Sequence, residues 1–582
     1  MVFLASERMN GRLLVRFARA RLTPNRYDLI ALALIGAAAV LVVHGAQQMG
    51  LPLANLHTVP VVLDPARLPE YALRTTLRMF AAIFASLLFT FVVATVAAKS
   101  RKAELVIIPM LDILQSVPVL GFLTFTVTFF MGLFPTSELG VELASIFAVF
   151  TAQAWNMAFS FYQSLRTLPG DLDEVARQFN LSPWQRFIKL ELPFATPALV
   201  WNTMMSMSGG WFFVVASEAI TVGKTTVTLP GIGSWIALAI ERQDFTAVAW
   251  AVGAMAVVIV LYDQFLFRPI VAWADKFRFE QTASQEQPQS WFFDVLRRTR
   301  VFRRIAAPFG RALASLPRPT LPRISLPKLG NAGSVRWFDR LWVVLVVIAA
   351  AWAAWTIFRY IATTLTIHDA LTATGLGLLT LSRVLVLIVI ASAIWVPVGV
   401  WIGLRPAWSQ RIQPVAQFLA AFPANVLFPI AVIAIIAWRL DPNIWLSPLI
   451  ILGTQWYILF NVVAGASALP GDLKEVAGIF HLRSWQRWRD FILPGIFPYY
   501  VTGALTASGG SWNASIVAEV VSWGHTRLEA AGLGAFIAKA TTAGDYPRVA
   551  LGISVMSVFV IALNRSLWRP LYAYAEKHLR LD

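Results

Sequence analysis

Runs of roughly twenty apolar residues, broken by short polar stretches, recur along the whole of this 582-residue chain. "YDLIALALIGAAAVLVVHGA" from Tyr27 and "RLWVVLVVIAAAWAAWTIF" from Arg340 are two of them, and each is long enough to cross about 30 Å of hydrocarbon as a helix. The runs are not the alternating ten-residue segments of a membrane barrel. The pattern predicts crossings near 28–46, 76–98, 106–132, 141–165, 195–221 and 246–266, and again near 340–361, 377–404, 413–438, 444–466, 496–522 and 547–567. The expected fold class is an all-α membrane protein of two six-helix halves, about 12 transmembrane helices in all.

Composition agrees: 58% of residues are hydrophobic and 14% charged, with a mean hydropathy of +0.65, whereas soluble domains carry about a quarter charged residues. Without cysteine, disulfides and thiolate metal sites are excluded. The histidines (His44, His57, His368, His481, His525, His578) are scattered, none four residues from another, so no metal site is expected. A net charge of +17 would suit nucleic acid in a soluble chain, but in a membrane chain excess Lys and Arg mark cytoplasmic segments. Residues 1–27, with "GRLLVRFARARLTPNR", read as a basic amphipathic segment on the inner membrane surface rather than a cleavable signal.

One polar passage is written twice. "LPGDLDEVARQFNLSPWQRFIKLELP" from Leu168 returns as "LPGDLKEVAGIFHLRSWQRWRDFILP" from Leu469, 301 residues later, with 15 of 26 positions identical. The same offset pairs Trp155 with Trp456, Glu218 with Glu519, Gly231 with Gly532, Asp244 with Asp545 and Arg268–Pro269 with Arg569–Pro570. Upstream the offset is 305, pairing Arg78 with Arg383 and Pro118 with Pro423. Two domains follow, 28–273 and 336–582, joined by a basic, Pro-rich linker over 274–335 ("RRTRVFRR", "PRPTLPRISLPKLG") expected to be extended and non-packing. The basic N-terminus, "KSRK" at 99–102, the polar blocks and the linker fall on one side. Both termini and both blocks are therefore expected in the cytoplasm, and an even number of crossings per half makes the repeats parallel.

Within the block, Asp171 and Glu174 have capping-box spacing. Leu172, Val175, Ala176 and Phe179 then share a helical face. Asn180 suits the left-handed stop, and Ser182–Pro183 open a second short helix. Asp472, Glu475, Ala477 and His481 repeat the plan. "EVA", a stop residue and a later "LP" resemble the EAA loop of ABC importer permeases, with Asn180 and His481 where that family has glycine. The resemblance implies a type I importer fold in which Asp171, Glu174, Ala176, Asn180 and Arg186, and Asp472, Glu475, Ala477, His481 and Arg487, form two ATPase-coupling helices. It implies as partners two cytoplasmic ABC ATPase subunits, which bind ATP and Mg where this chain holds no cofactor, and an extracytoplasmic substrate-binding protein. "TLSRVL" (380–385), "SGGW" (208–211) and "GGSW" (509–512) resemble the nitrate/sulfonate/taurine branch, and fused permeases for ferric iron or thiamine are the alternative. No nucleic-acid partner and no catalytic residues are expected.

"EAITVGKTT" (218–226) ends like a phosphate-binding loop, but Glu218 stands where the first glycine belongs. The translocation path is expected to use Glu218 and Glu519, since an intramembrane carboxylate is costly and usually faces the bundle interior; a purely structural hydrogen bond is the competing role. The pair is expected to face a central cavity without basic neighbours. Gly209, Gly210, Gly509 and Gly510 would allow close approach, and Trp211 and Trp512 would gate or anchor. Arg78 and Arg383 would snorkel to the interface or attract an anion. The rival class is a gradient-driven transporter or channel, distinguished by having no ATPase partner.

Overall fold

The computed structural model describes residues 61–277, 290–299 and 332–578, apart from 117–118, 223–224, 468, 470–478 and 481–483, together with scattered positions between 36 and 47. The expected 1–27 segment, most of the 28–46 crossing and most of the linker lie outside the described residues.

The first half opens with α1 (Leu68–Lys99), α2 (Arg101–Ser116), α3 (Val119–Leu133) and α4 (Leu139–Arg166). The polar block folds as α5 (Gly170–Gln178) and α6 (Pro183–Arg186), leading through a π turn at Phe187–Glu191 into α7 (Leu192–Glu218). A hairpin of β1 (Ala219–Val222) and β2 (Thr225–Thr228) follows, then the short apolar helix α8 (Ile232–Glu241). Next come α9 (Phe245–Tyr262), a second π turn at Asp263–Phe267 and α10 (Arg268–Ala274). The linker contributes α11 (Trp291–Arg298), and α12 (Ala332–Ala362) enters the second half.

The second half repeats this order. It runs α13 (Ile367–Gly403), α14 (Pro406–Ala421), α15 (Phe428–Ala437), α16 (Pro442–Trp445), α17 (Ser447–Leu452), α18 (Gln455–Ser467), α19 (Ser484–Arg487) and α20 (Leu493–Ala518). Hairpin β3 (Val520–Trp523) and β4 (Thr526–Glu529) precedes α21 (Leu533–Ala543), α22 (Tyr546–Leu563) and α23 (Arg569–His578). The π turns sit at equivalent places, each ending just before the Leu-Pro or Arg-Pro pair seen in the repeat. Proline clashes with the carbonyl four residues back, and widening the preceding turn relieves that clash.

Among the described residues six helices are long and apolar enough to cross a membrane, or up to eight if each bent pair is one span. Several expected crossings are thus not single straight helices. The 413–438 segment bends by 78° at Pro423, where the ladder loses a donor, and 444–466 bends by 44°. The 195–221 crossing stops at Glu218, and β1 begins at the next residue. In the linker, α11 is a packed helix rather than extended chain: Ser290 caps it, and Trp291 and Phe292 lie edge-on to Phe265 at 5.5 and 5.1 Å.

In the first half α4 lies between α1 and α7. The halves meet where α7 packs on α14 and where each hairpin rests on the other half's short helix, β1 on α21 and β3 on α8. At this second contact the Gly524 amide donates to the Ile240 carbonyl at 2.9 Å, Gln243 Nε2 donates to the Trp523 carbonyl at 3.3 Å, and Phe245 meets Trp523 at 4.5 Å. Gln243 and Gly524 both sit at positive φ, 55° and 58°.

Candidate functional site: two buried ion clusters, a polar block and the cleft between halves

At the hairpin end of each half a buried carboxylate organises the chain. Glu218 Oε1 accepts from Thr75 Oγ1 at 2.7 Å and from Arg78 Nη1 at 2.6 Å, while Oε2 accepts from the Gly233 amide at 2.6 Å. Thr75 Oγ1 in turn accepts from the Ile232 amide, and Arg78 Nη1 also donates to the Pro230 carbonyl. The carboxylate thus caps the N-terminus of α8, where unsatisfied amides and the helix dipole favour an anion. Gly231 is required for the approach: a Cβ there would fall 2.3 Å from Glu218 Oε2. The second half reproduces the set, with Glu519 accepting from Thr380, Arg383 and the Ala535 amide at 2.8, 3.2 and 3.0 Å. Arg383 also donates to the Ala531 carbonyl, the counterpart of Pro230.

The side-chain contacts correct four expectations. Glu218 and Glu519 have basic neighbours, Arg78 and Arg383. Each is buried inside its own half, and the two do not face each other across a central cavity. Arg78 does not snorkel; it is fully buried, and its Nε and Nη2 each donate to Glu142 at 2.6 Å. Trp211 and Trp512 are likewise interior: Trp211 stacks on Tyr262 and donates to its hydroxyl, and Trp512 stacks on Phe559. Sequence reasoning overlooked Glu142, which lacks a charged counterpart. Asn443 stands there in the second half and uses its Oδ1 to accept from the Ala531 amide.

Beside the first cluster, Glu138 lies just before α4 and is almost fully buried. Burial pushes its carboxyl up to about 7, opposed by Arg74 and reinforced by Glu142. A carboxyl raised on folding contributes stability that is fully present below its unfolded pKa and is lost as pH rises through 7. The chain is therefore expected to melt at a higher temperature at pH 6 than at pH 8, and Glu138→Gln to remove most of that difference; an unchanged difference in the variant would contradict the assignment.

The polar block lies at the opposite end of the bundle. In α5 the helix starts earlier than the capping-box spacing predicts: Pro169 holds the N-cap position, and Asp171 and Glu174 lie inside the helix, exposed. The reciprocal capping box belongs instead to α6, between Ser182 and Gln185. Asn180 does end α5, at φ 48°. The Leu181 amide reaches the Ala176 carbonyl and the Asn180 amide the Arg177 carbonyl, at 3.1 and 2.9 Å, the 6→1 and 5→2 bonds of a Schellman end. Ala176 is buried, whereas Val175, Phe179 and Trp184 are exposed, Phe179 by 73%, leaving an apolar surface with no cover from the described residues.

An ion chain ties the block to the bundle: Arg186 meets Asp173 at 2.6 Å and Glu191 at 2.9 Å, and Glu191 meets Lys99 at the end of α1 at 2.9 Å. Of these, sequence reasoning singled out only Arg186. Lys474, Ile492 and Leu404 stand at the matching positions of the second half, so the sequence does not repeat Asp173, Glu191 and Lys99 there. Asp472, Glu475, Ala477 and His481 lie outside the described residues; Arg487 is exposed on α19.

A cleft between the halves is lined by Met205, Ser208, Gly209 and Phe212 of α7 and by Phe422, Pro423, Trp456 and Tyr457 of the second half. A Cβ on Gly209 would lie 3.0 Å from Tyr457 Oη. Gly210 instead faces Gln153 and Met79, Gly510 faces Thr454, and a Cβ on Gly509 would meet open space. Glu218 ends α7, and residues 219–222 pair antiparallel with 225–228, which is not the strand, loop and helix of a phosphate-binding loop.

Comparison with known proteins agrees with the repeat. Residues 86–268 and 395–568 each match the family described as "binding-protein-dependent transport system inner membrane component". The nitrate import permease protein NrtB of Leptolyngbya laminosa is 29% identical over 184 residues, 32% of this chain and 62% of the relative. The bicarbonate transport system permease protein CmpB of Synechococcus elongatus is 29% identical over 177 residues, 30% of this chain and 60% of the relative. The glycine betaine/proline betaine permease protein ProW of Escherichia coli is 29% identical over 166 residues, 28% of this chain and 42% of the relative. The aligned stretch spans about 60% of the length of the first two. With both matched segments together covering more than half of its length, the chain belongs to the family of binding-protein-dependent transport inner-membrane components, as a multi-pass membrane protein carrying two such domains in one polypeptide.

Proposed function

We propose that the chain is the complete transmembrane pathway of an ATP-driven importer: a fused permease that receives a small anion from an extracytoplasmic binding protein and releases it into the cytoplasm by alternating access. The block end and both termini face the cytoplasm, the hairpins face outward, and the halves are parallel repeats. Two cytoplasmic ATPase subunits bind ATP and Mg and seat on the two blocks. The observation that carries this reading is α5, a rigidly capped helix whose exposed Val175 and Phe179 present an apolar face at the basic end of the bundle.

Anionic cargo is supported by the nitrate and bicarbonate permeases among the relatives. The buried arginines do not supply it, because each is already neutralised by glutamate. Cargo instead passes through the cleft beside Gly209, with the Ser208 and Tyr457 hydroxyls as its polar contacts. The test is ATP-dependent uptake of labelled nitrate and bicarbonate into proteoliposomes holding the chain, its ATPase and its binding protein. Gly209→Leu is expected to cut uptake at least tenfold, since its side chain fills the space before Tyr457, while ATP hydrolysis continues. Uptake at the unmodified rate would remove the cleft from the path.

A further inference from the structure

A second cleft opens beside the first and shares Met205 and Ser208 with it. It measures about 260 Å³ and lies between Met204, Met205 and Ser208 of α7, Ile259 to Arg268 on α9 and its π turn, and Val415 to Ala421 of α14. The volume equals that of roughly nine waters in the liquid. Its walls are mostly thioether, aliphatic and aromatic, with Ser208 and Gln417 among them. The cleft is open: Val260 and Val415, which line it, are 47% and 57% exposed.

One end of this cleft is polar. Arg268 and Asp263 pair there at 2.8 Å, and Gln264, also in the lining, accepts from the indole of Trp291 at 3.2 Å. Trp291 begins α11, so the linker helix is fastened to the cleft's rim. The same helix ends in the exposed Arg297 and Arg298, and the sequence continues to Arg300, Arg303 and Arg304. A Trp at the polar–apolar boundary beside a run of arginines is the arrangement that meets a membrane's headgroup layer.

We infer that this cleft and the linker helix together form a binding site for an anionic phospholipid, with an acyl chain in the cleft and the phosphate at Arg297 and Arg298. The proposal rests on the orientation given above, which places the rim at the cytoplasmic leaflet, where anionic lipid is available. The linker then does more than join the halves: it holds a lipid wedged between α9 of one and α14 of the other.

The test is native mass spectrometry of the delipidated full chain, titrated separately with phosphatidylglycerol, phosphatidylcholine and glycerol phosphate. Phosphatidylglycerol is expected to bind roughly tenfold or more tightly than phosphatidylcholine, at the usual gain per basic residue near a headgroup, and glycerol phosphate is not expected to displace it. Arg297→Glu/Arg298→Glu should abolish the headgroup preference and leave residual chain binding. Val260→Trp, at the exposed mouth where folding is not at stake, should weaken both lipids about tenfold. Equal affinity for the two lipids, displacement by glycerol phosphate, or full retention in Val260→Trp would overturn the proposal. None of these readouts depends on import, so failure here is distinct from failure of the transport reading.

Discussion

Arg78→Met is expected to be the most damaging single substitution away from the polar blocks, destabilising the chain by about 3–5 kcal/mol, the usual cost of removing one partner from a buried ion pair. It would strand two carboxylates at once, because Glu142 and Glu218 both depend on that guanidinium inside the first half. Arg383→Met should cost less, since the second cluster holds one carboxylate and its arginine is partly solvated. Adding Glu142→Gln to Arg78→Met should recover part of the loss, a coupling that a double-mutant cycle on detergent-solubilised protein would measure. Equal losses for the two arginines, or no recovery, would mean that the clusters do not carry the load assigned to them.

The second large effect is expected at the block. Arg186→Ala removes the link between α5 and Glu191 while leaving Asp173 its contact with Arg177 and Glu191 its contact with Lys99. A charged hydrogen bond contributes about 1.5–3 kcal/mol, so binding-protein-stimulated ATP hydrolysis should fall roughly tenfold or more with the ATPase still attached. Arg487→Ala, in the block whose sequence does not repeat Asp173 and Glu191, should have a much smaller effect. Similar losses in the two variants would show that the asymmetry has no mechanical consequence.

Much of this architecture was legible in the sequence because its signals are local. Twenty-residue apolar runs mark the helices, the 301-residue offset marks the halves, and Asn180 marks the end of α5 through the one backbone conformation its stop requires. Capping was harder to place. Asp171 and Glu174 have the right spacing, yet Pro169 fits the N-cap and sets the start earlier, so the reciprocal bonds go to Ser182 and Gln185 instead.

The ion clusters were hidden for a different reason. Arg78 and Glu218 are 140 residues apart, and nothing in either neighbourhood announces the other. The offset did show that Arg78 and Arg383, and Glu218 and Glu519, recur together, and that shared recurrence is the signal that could have paired them. The same was true of Gly231 and Gly532, whose repetition reflects a carboxylate lying where a side chain would be. Glu142 left no such trace, because its counterpart is Asn443. In the linker, composition pointed to extended chain, but Ser290 followed by Trp-Phe-Phe is a capped apolar turn with Phe265 to pack against.

The central claim is that one chain supplies both halves of the pathway and therefore engages two ATPases. Native mass spectrometry of the complex isolated with its ATPase tests it most directly. The account predicts one 64.4 kDa chain with two ATPase subunits, and a loss of one of the two when Val175 and Phe179 on α5 are both replaced by Asp. A complex holding a single ATPase, or two copies of this chain for two ATPases, would contradict it.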